Sequence, residues 1–320
     1  MRGVSRRQSQ VKKSHDDEVD LLEIGRALLQ GKWVIFASFL LFFSTFIFYS
    51  LSLPNLYRSS ALVTPADAAD TGGLSGLAGQ LGGLATIAGI NLSSGGSNNS
   101  AEAIEVLQSW AFIEEFIEEQ GIETQVFAVK EWDPVNDELI FDLDIYNSDS
   151  EVWTRKPPKG GDSKPSSWEL YDKFISEYMS IEEDALTGFT TISIEYYSPE
   201  LSKVWVDELV KKINDRFKKS NADTAERNLT YLRAQAAETK FASMQKVFYD
   251  LIEEQIKTHM LAMGSNEYVF KTVREARVSE VKSNPKRSLI VSLGAILGLI
   301  FGAILSLFLF MDRSPRLRNK

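Results

Sequence analysis

Two stretches decide the fold: Trp33–Leu53, WVIFASFLLFFSTFIFYSLSL, and Ser288–Met311, SLIVSLGAILGLIFGAILSLFLFM. Neither contains an Asp, Glu, Lys or Arg. A helix of about 20 apolar residues crosses a hydrocarbon core of ~30 Å, so both are long enough to span a bilayer. A cleaved signal peptide fits the first poorly, because its apolar run is too long and Pro54, Asn55 and Leu56 offer no small-residue cleavage pattern. Arg2, Arg6, Arg7, Lys12, Lys13, Arg26 and Lys32 precede it, and only Arg58 follows close behind. The positive-inside rule therefore places the N-terminus in the cytoplasm. Two spans return the chain to the same side, where Arg313, Arg316, Arg318 and Lys320 sit.

Outward from the spans, the chain divides into a cytoplasmic tail (1–32), a first span (33–53), an outer domain (54–287), a second span (288–311) and a second cytoplasmic tail (312–320). The outer domain belongs in a periplasm, above a bacterial inner membrane. The absence of cysteine from all 320 residues fits that compartment. Neither tail is long enough to bury a core, so no cytoplasmic output domain is expected. The formal charge of -9 hides an uneven layout, since residues 54–287 alone carry 24 basic and 38 acidic side chains. That acidic balance argues against nucleic acid, which calls for a basic footprint.

Within the outer domain, Tyr57–Thr64 reads as a strand. A glycine-rich run, Gly72–Gly96, reads as a subunit-contact or membrane-surface element, with a flexible linker as the alternative. A helix is expected from Ser100 to Gln120, stopped by Gly121, followed by a loop-rich region over 122–164. Ser167 caps a helix Trp168–Tyr178. A hairpin joins strands Met179–Glu183 and Phe189–Tyr197 through Leu186, Thr187 and Gly188. Pro199 starts a helix, and no Gly or Pro follows it up to Ala262. One rod of that length would reach ~95 Å. The strand expected at Glu267–Val278 must nevertheless lie within nine residues of the second span, so the chain has to return. A base helix (about 199–220) and a helical hairpin with arms near 222–240 and 244–262, its tip near Thr239–Met244, satisfy that constraint. The fold class is thus an α+β membrane protein, with two spans flanking a domain of a membrane-proximal mixed sheet and long helices.

Site chemistry is sparse. There are two histidines: His15 lies in the tail and His259 on a helix. No phosphate-binding G-x-x-x-x-G-K-[ST] motif occurs. Glu114/Glu115, Glu182/Glu183 and Glu253/Glu254 are adjacent pairs, and adjacent helical residues do not share a face. No catalytic residue, cofactor site or metal site is expected. Gly294, Gly298 and Gly302 repeat at four-residue spacing, with Ala295 and Ala303 beside them, as a flat face for close helix packing. The partner of that face is the first span, a neighbouring subunit or another protein. Pro285, Lys286 and Arg287 form the membrane-proximal connector to the second span.

The order of motifs resembles the Wzz-type polysaccharide chain-length determinants, or polysaccharide co-polymerases. DDEVDLLEIGRALLQGKW leads into the first span and YRSSALVTP follows it. TTISIEYYSPELSKVWVDELVKKIN, EYVFKTV and PKRSLI then precede a glycine-rich second span. A proline-rich connector is reduced here to Pro285, and no kinase domain is fused. The resemblance implies a non-enzymatic homo-oligomer, commonly an octameric ring. It would act beside a Wzy-type polymerase to set the length of a lipid-linked, O-antigen-type polysaccharide. The acidic outer domain is a poor general grip for an anionic glycan, which favours control through ring geometry or polymerase contact. Two alternatives are a co-polymerase for capsule or exopolysaccharide working with a separate tyrosine kinase, and a two-span periplasmic sensor or adaptor.

Overall fold

The computed structural model describes residues 28–66, 95–157 and 160–313. Most of the N-terminal tail (1–27), nearly all of the C-terminal tail (314–320) and most of the glycine-rich run (72–94) lie outside the described residues. In chain order the elements begin with α1 (Lys32–Ser52), β1 (Tyr57–Pro65), α2 (Gly95–Leu107), α3 (Trp110–Gln120) and α4 (Glu123–Ala128). Short strands follow: β2 (Val129–Asp133), β3 (Glu138–Phe141), β4 (Tyr146–Asn147) and β5 (Val152–Trp153). Next come α5 (Ser167–Lys173), a π-helical turn (Phe174–Tyr178), β6 (Met179–Glu183) and β7 (Thr190–Tyr196). The chain closes with α6 (Pro199–Glu238), α7 (Ala242–Gly264), β8 (Phe270–Arg274) and α8 (Arg287–Arg313). Two compact units result, one holding α1 and α8, the other spanning Pro54–Pro285.

In the first unit, α1 and α8 pack as an antiparallel pair. Only 11% and 17% of their most apolar windows are buried. Leu40, Leu41 and Phe48 on α1 and Leu289, Ile296 and Phe308 on α8 all face outward. A core helix of a soluble protein would hide such a surface, whereas hydrocarbon accepts it and the helix satisfies its own backbone. The chain is a membrane protein.

In the second unit, β6, β7, β1 and β8 form one sheet in that order. Every pairing is antiparallel, where the sequence suggested a mixed sheet. Tyr57 faces Tyr196 at one end and Val63 faces Thr190 at the other. Alternation along β1 and β7 sends Ala61, Val63, Ile192 and Ile194 into the core. The first half of α6 covers that face with Trp205, Val206, Leu209 and Ile213, at the i, i+4 spacing of a buried helical stripe. Ser198 caps α6 through its hydroxyl, with Pro199 in the first turn.

Several boundaries differ from expectation. The helix expected over Ser100–Gln120 is broken at Ser109, which takes extended backbone and turns its hydroxyl to the Val106 carbonyl at 2.6 Å. Gly121 ends α3 in the left-handed region at φ 64. The α5 cap is Ser166 rather than Ser167, and it forms a capping box with Glu169. The region 122–164 is not mere loop but α4 and two small hairpins. No break separates a base helix from a hairpin arm near residue 221. There Asn221 and Thr224 bond the carbonyls four residues back, at 3.0 and 2.8 Å, so polar side chains join the helix instead of ending it. The turn between α6 and α7 does fall at 239–241. The strand expected over Glu267–Val278 shortens to β8, with an irregular run after it.

One polar cluster fixes the loop before α5. Arg155 forms a fork with Glu169 (2.7 and 2.8 Å), donates to the Ser163 carbonyl (2.7 Å) and lies 4.9 Å from the Phe127 ring centre. The Arg155 hydrogen bond holds the Glu169 carboxyl down at about 2. Because the folded-state value lies below the ordinary carboxyl range, this stabilisation is complete above about pH 4.5 and is lost as pH falls towards 2. The Glu169→Gln variant is therefore expected to melt below the parent near neutral pH, with the gap closing in acid. Thermal unfolding of the detergent-solubilised chain across pH checks this.

Candidate functional site

A cleft of about 840 Å³ lies between α3 and α6. Several of its charges pair with one another. Lys212 bridges Glu115 (3.2 Å) and Glu119, and Arg216 reaches Glu115 at 2.8 Å. The Lys212 hydrogen bond draws the Glu119 carboxyl below its usual range. Of the adjacent acidic pairs, Glu115 is used here and Glu182 holds Arg58 at 2.9 Å, so neither pair works as a unit. Among the described residues no group of three or more His, Cys, Asp or Glu is placed to hold a metal ion. His259 sits partly exposed on α7.

The more telling arrangement is at the two ends of the Pro54–Pro285 unit. Leu56, just past the first span, and Asn284, just before the second, form an antiparallel bridge, with Leu56 N–H donating to the Asn284 carbonyl at 2.9 Å. The Ser283 N–H returns a bond to the Leu56 carbonyl at 2.8 Å. Glu195 on β7 locks this junction. Its carboxylate accepts from the Ser283 hydroxyl and, at 2.8 Å to each oxygen, from the Asn284 amide. The connector residues singled out from sequence lie immediately beyond. Pro285 is half-buried and Lys286 is exposed, its carbonyl accepting from Leu289 and Ile290 to start α8. Arg287 reaches the Leu53 carbonyl at 3.4 Å. Sequence reasoning missed Glu195, Ser283 and Asn284, since nothing local ties a strand glutamate to residues 88 and 89 positions away.

Within the membrane pair, Gly294, Gly298 and Gly302 lie against α1 of the same chain. A methyl group on Gly298 would sit 2.9 Å from Phe42 Cβ and 3.0 Å from Phe39 Cα. One on Gly302 would sit 2.8 Å from Ile35 Cα, and one on Gly294 would overlap Phe46. Ser306 continues the buried row one turn on, and Phe42 also packs on Phe301, ring centres 5.5 Å apart. The three glycines are thus used inside the chain, leaving the outward faces of both helices for lipid or other proteins.

Residues 17–120 match the family model described as Wzz, chain length determinant protein. The chain is also similar to a solved full-length bacterial polysaccharide co-polymerase, at 12% identity over 94% of this chain and 99% of that one, with a TM-score of 0.39. A fragment of WzzB, the polysaccharide co-polymerase from Salmonella Typhimurium, is similar at 10% identity over 72% of this chain and all of the fragment, with a TM-score of 0.30. No curated protein matches.

Proposed function

We propose that this chain is a non-enzymatic regulator of polysaccharide chain length, acting in a bacterial inner membrane as a ring-shaped homo-oligomer beside a Wzy-type polymerase. The observation that carries the reading is the chain-length-determinant match over residues 17–120, which takes in the first span, β1 and the helices up to Gln120. The polymer is a lipid-linked polysaccharide of the O-antigen type, the termini are cytoplasmic and the domain Pro54–Pro285 is periplasmic.

The physical character of the chain suits that role. Ion pairs line the cleft between α3 and α6, and the apolar side chains of α7 exceed what one partner helix covers. Leu229, Ala236 and Ile252 close the core between α6 and α7. Val247, Tyr249, Met260 and Met263 remain at least half exposed. Side-by-side copies would bury such surface, and head-to-tail contacts that close make a ring.

The detergent-extracted full chain is expected to have the native mass of a ring of several copies. A monomer or dimer would overturn the ring and favour a two-span sensor. Removing the gene is expected to change the length distribution of the surface polysaccharide. A change confined to capsule or secreted polymer would transfer the role to that export system.

A further inference from the structure

We infer that the corner between α3 and α5 is a glycan-binding site, where Trp110 and Trp168 stack on uncharged pyranose rings of the polysaccharide. This deepens the polysaccharide reading and rests on it, and every residue involved belongs to the Pro54–Pro285 unit. The first observation is aromatic. Trp110, the first residue of α3, is 45% exposed and Trp168, on α5, is 55% exposed. Their rings meet edge to face, centres 5.8 Å apart and planes at 88°. Tyr171 adds a third ring 5.3 Å from Trp168, and its hydroxyl donates to the Gln108 carbonyl at 2.9 Å. The negative face of an indole attracts the weakly positive C–H groups on the face of a sugar ring. Two tryptophans at a right angle hold such a ring with one face and limit its sliding with the other. The Arg155–Glu169 fork fixes α5, so the corner is preorganised.

The second observation is the polar groove beside the rings. A cavity of about 150 Å³ lies between the same two helices, lined in part by Glu114, Glu118, Lys164 and Ser167. Trp110, Glu114 and Glu118 share one stripe of α3 at four-residue spacing, and Ser167 adjoins Trp168 in the chain. Lys164 is taken by Glu123 at 2.7 Å. Among the described residues, Glu114 and Glu118 make no ion pair. Their carboxylates and the Ser167 hydroxyl are acceptors for sugar hydroxyls, the carboxylates in charge-assisted bonds. They also choose the occupant. An apolar face of a second copy would strand both carboxylates without partners, and an anionic sugar would meet like charge. An uncharged polyol satisfies both and still offers C–H faces to the tryptophans.

The test uses the full chain in phosphatidylcholine nanodiscs, free of sugar-based detergent, and the parent strain's surface polysaccharide released from its lipid by mild acid. Biolayer interferometry is expected to show saturable binding to the parent chain. Trp110→Ala and Trp168→Ala are each expected to weaken it by about tenfold or more, the loss of one stacked apolar face, while Trp168→Phe keeps most of it. Both alanine variants are expected to melt with the parent, since their positions are half exposed. Absence of binding by the parent chain, or equal binding by parent and alanine variants, would overturn the inference. A lower native mass of Trp168→Ala with unaltered glycan binding would also overturn it, by assigning the corner to contact between copies. Gene deletion separates this inference from the reading beneath it. If deletion changes polymer length but the alanine variants bind as the parent does, only the glycan site falls. If deletion changes nothing, both fall.

Discussion

Replacing Asn214 with leucine is expected to destabilise the Pro54–Pro285 unit strongly. Asn214 is buried at 3% exposure. Its carbonyl oxygen accepts from the Val269 and Phe270 N–H groups, both at 2.9 Å, and its amide donates to the Phe270 carbonyl at 3.0 Å. These bonds receive the chain as it enters β8, 55 and 56 residues later. Leucine fills a similar volume but satisfies none of the three backbone groups. At ~1–3 kcal/mol for each buried group left without a partner, partly relieved by relaxation, the loss is about 3–5 kcal/mol. In a domain of this size that lowers the melting temperature by roughly 10 °C or more. Circular dichroism on the purified full chain in detergent measures it, and an unchanged melt would show that water or another side chain replaces the amide.

The second large effect is expected in the membrane. Leucine at Gly298 meets the backbone of α1, at Phe39 Cα and the Ser38 carbonyl oxygen, 3.0 and 3.2 Å from where its Cβ would lie. No rotamer change in α1 relieves a backbone contact, so the two helices must separate or slide. Overpacking of this kind costs about 1–3 kcal/mol, and small residues at the contact are what hold such pairs together. The Gly298→Leu variant is expected to lose the modal polysaccharide length, while Ile300→Leu, on a half-exposed position of the same helix, leaves it unchanged. Equal behaviour of the two variants would remove the packed glycine face from the account.

The spans, the central strand β1, the β6–β7 hairpin and the α6–α7 turn were legible because each rests on a local or covalent constraint. Charge-free length gave the spans, β-branched and apolar composition gave the strands, and the need to return to the second span gave the turn. The expected break near residue 221 was not real, because Asn221 and Thr224 bond back along the helix, a choice composition does not reveal. The region 122–164 resisted because its strands are two to five residues long. Its usable signals were Asp133, Asp142 and Asn147, whose side chains accept from backbone two residues on. Asn214 could have been flagged. It shares the buried phase of Val210, Ile213 and Phe217, where a polar side chain needs a partner. The Glu195 junction depends on pairing across the whole domain and has no local signature.

The central claim, that this chain sets polymer length, is tested most directly by electrophoresis of surface polysaccharide from three strains: parent, gene deletion, and deletion with the gene supplied in trans. The account predicts a cluster of bands in the parent, a decaying ladder of short chains in the deletion, and the same cluster restored by the supplied gene. An identical distribution in all three strains would contradict it.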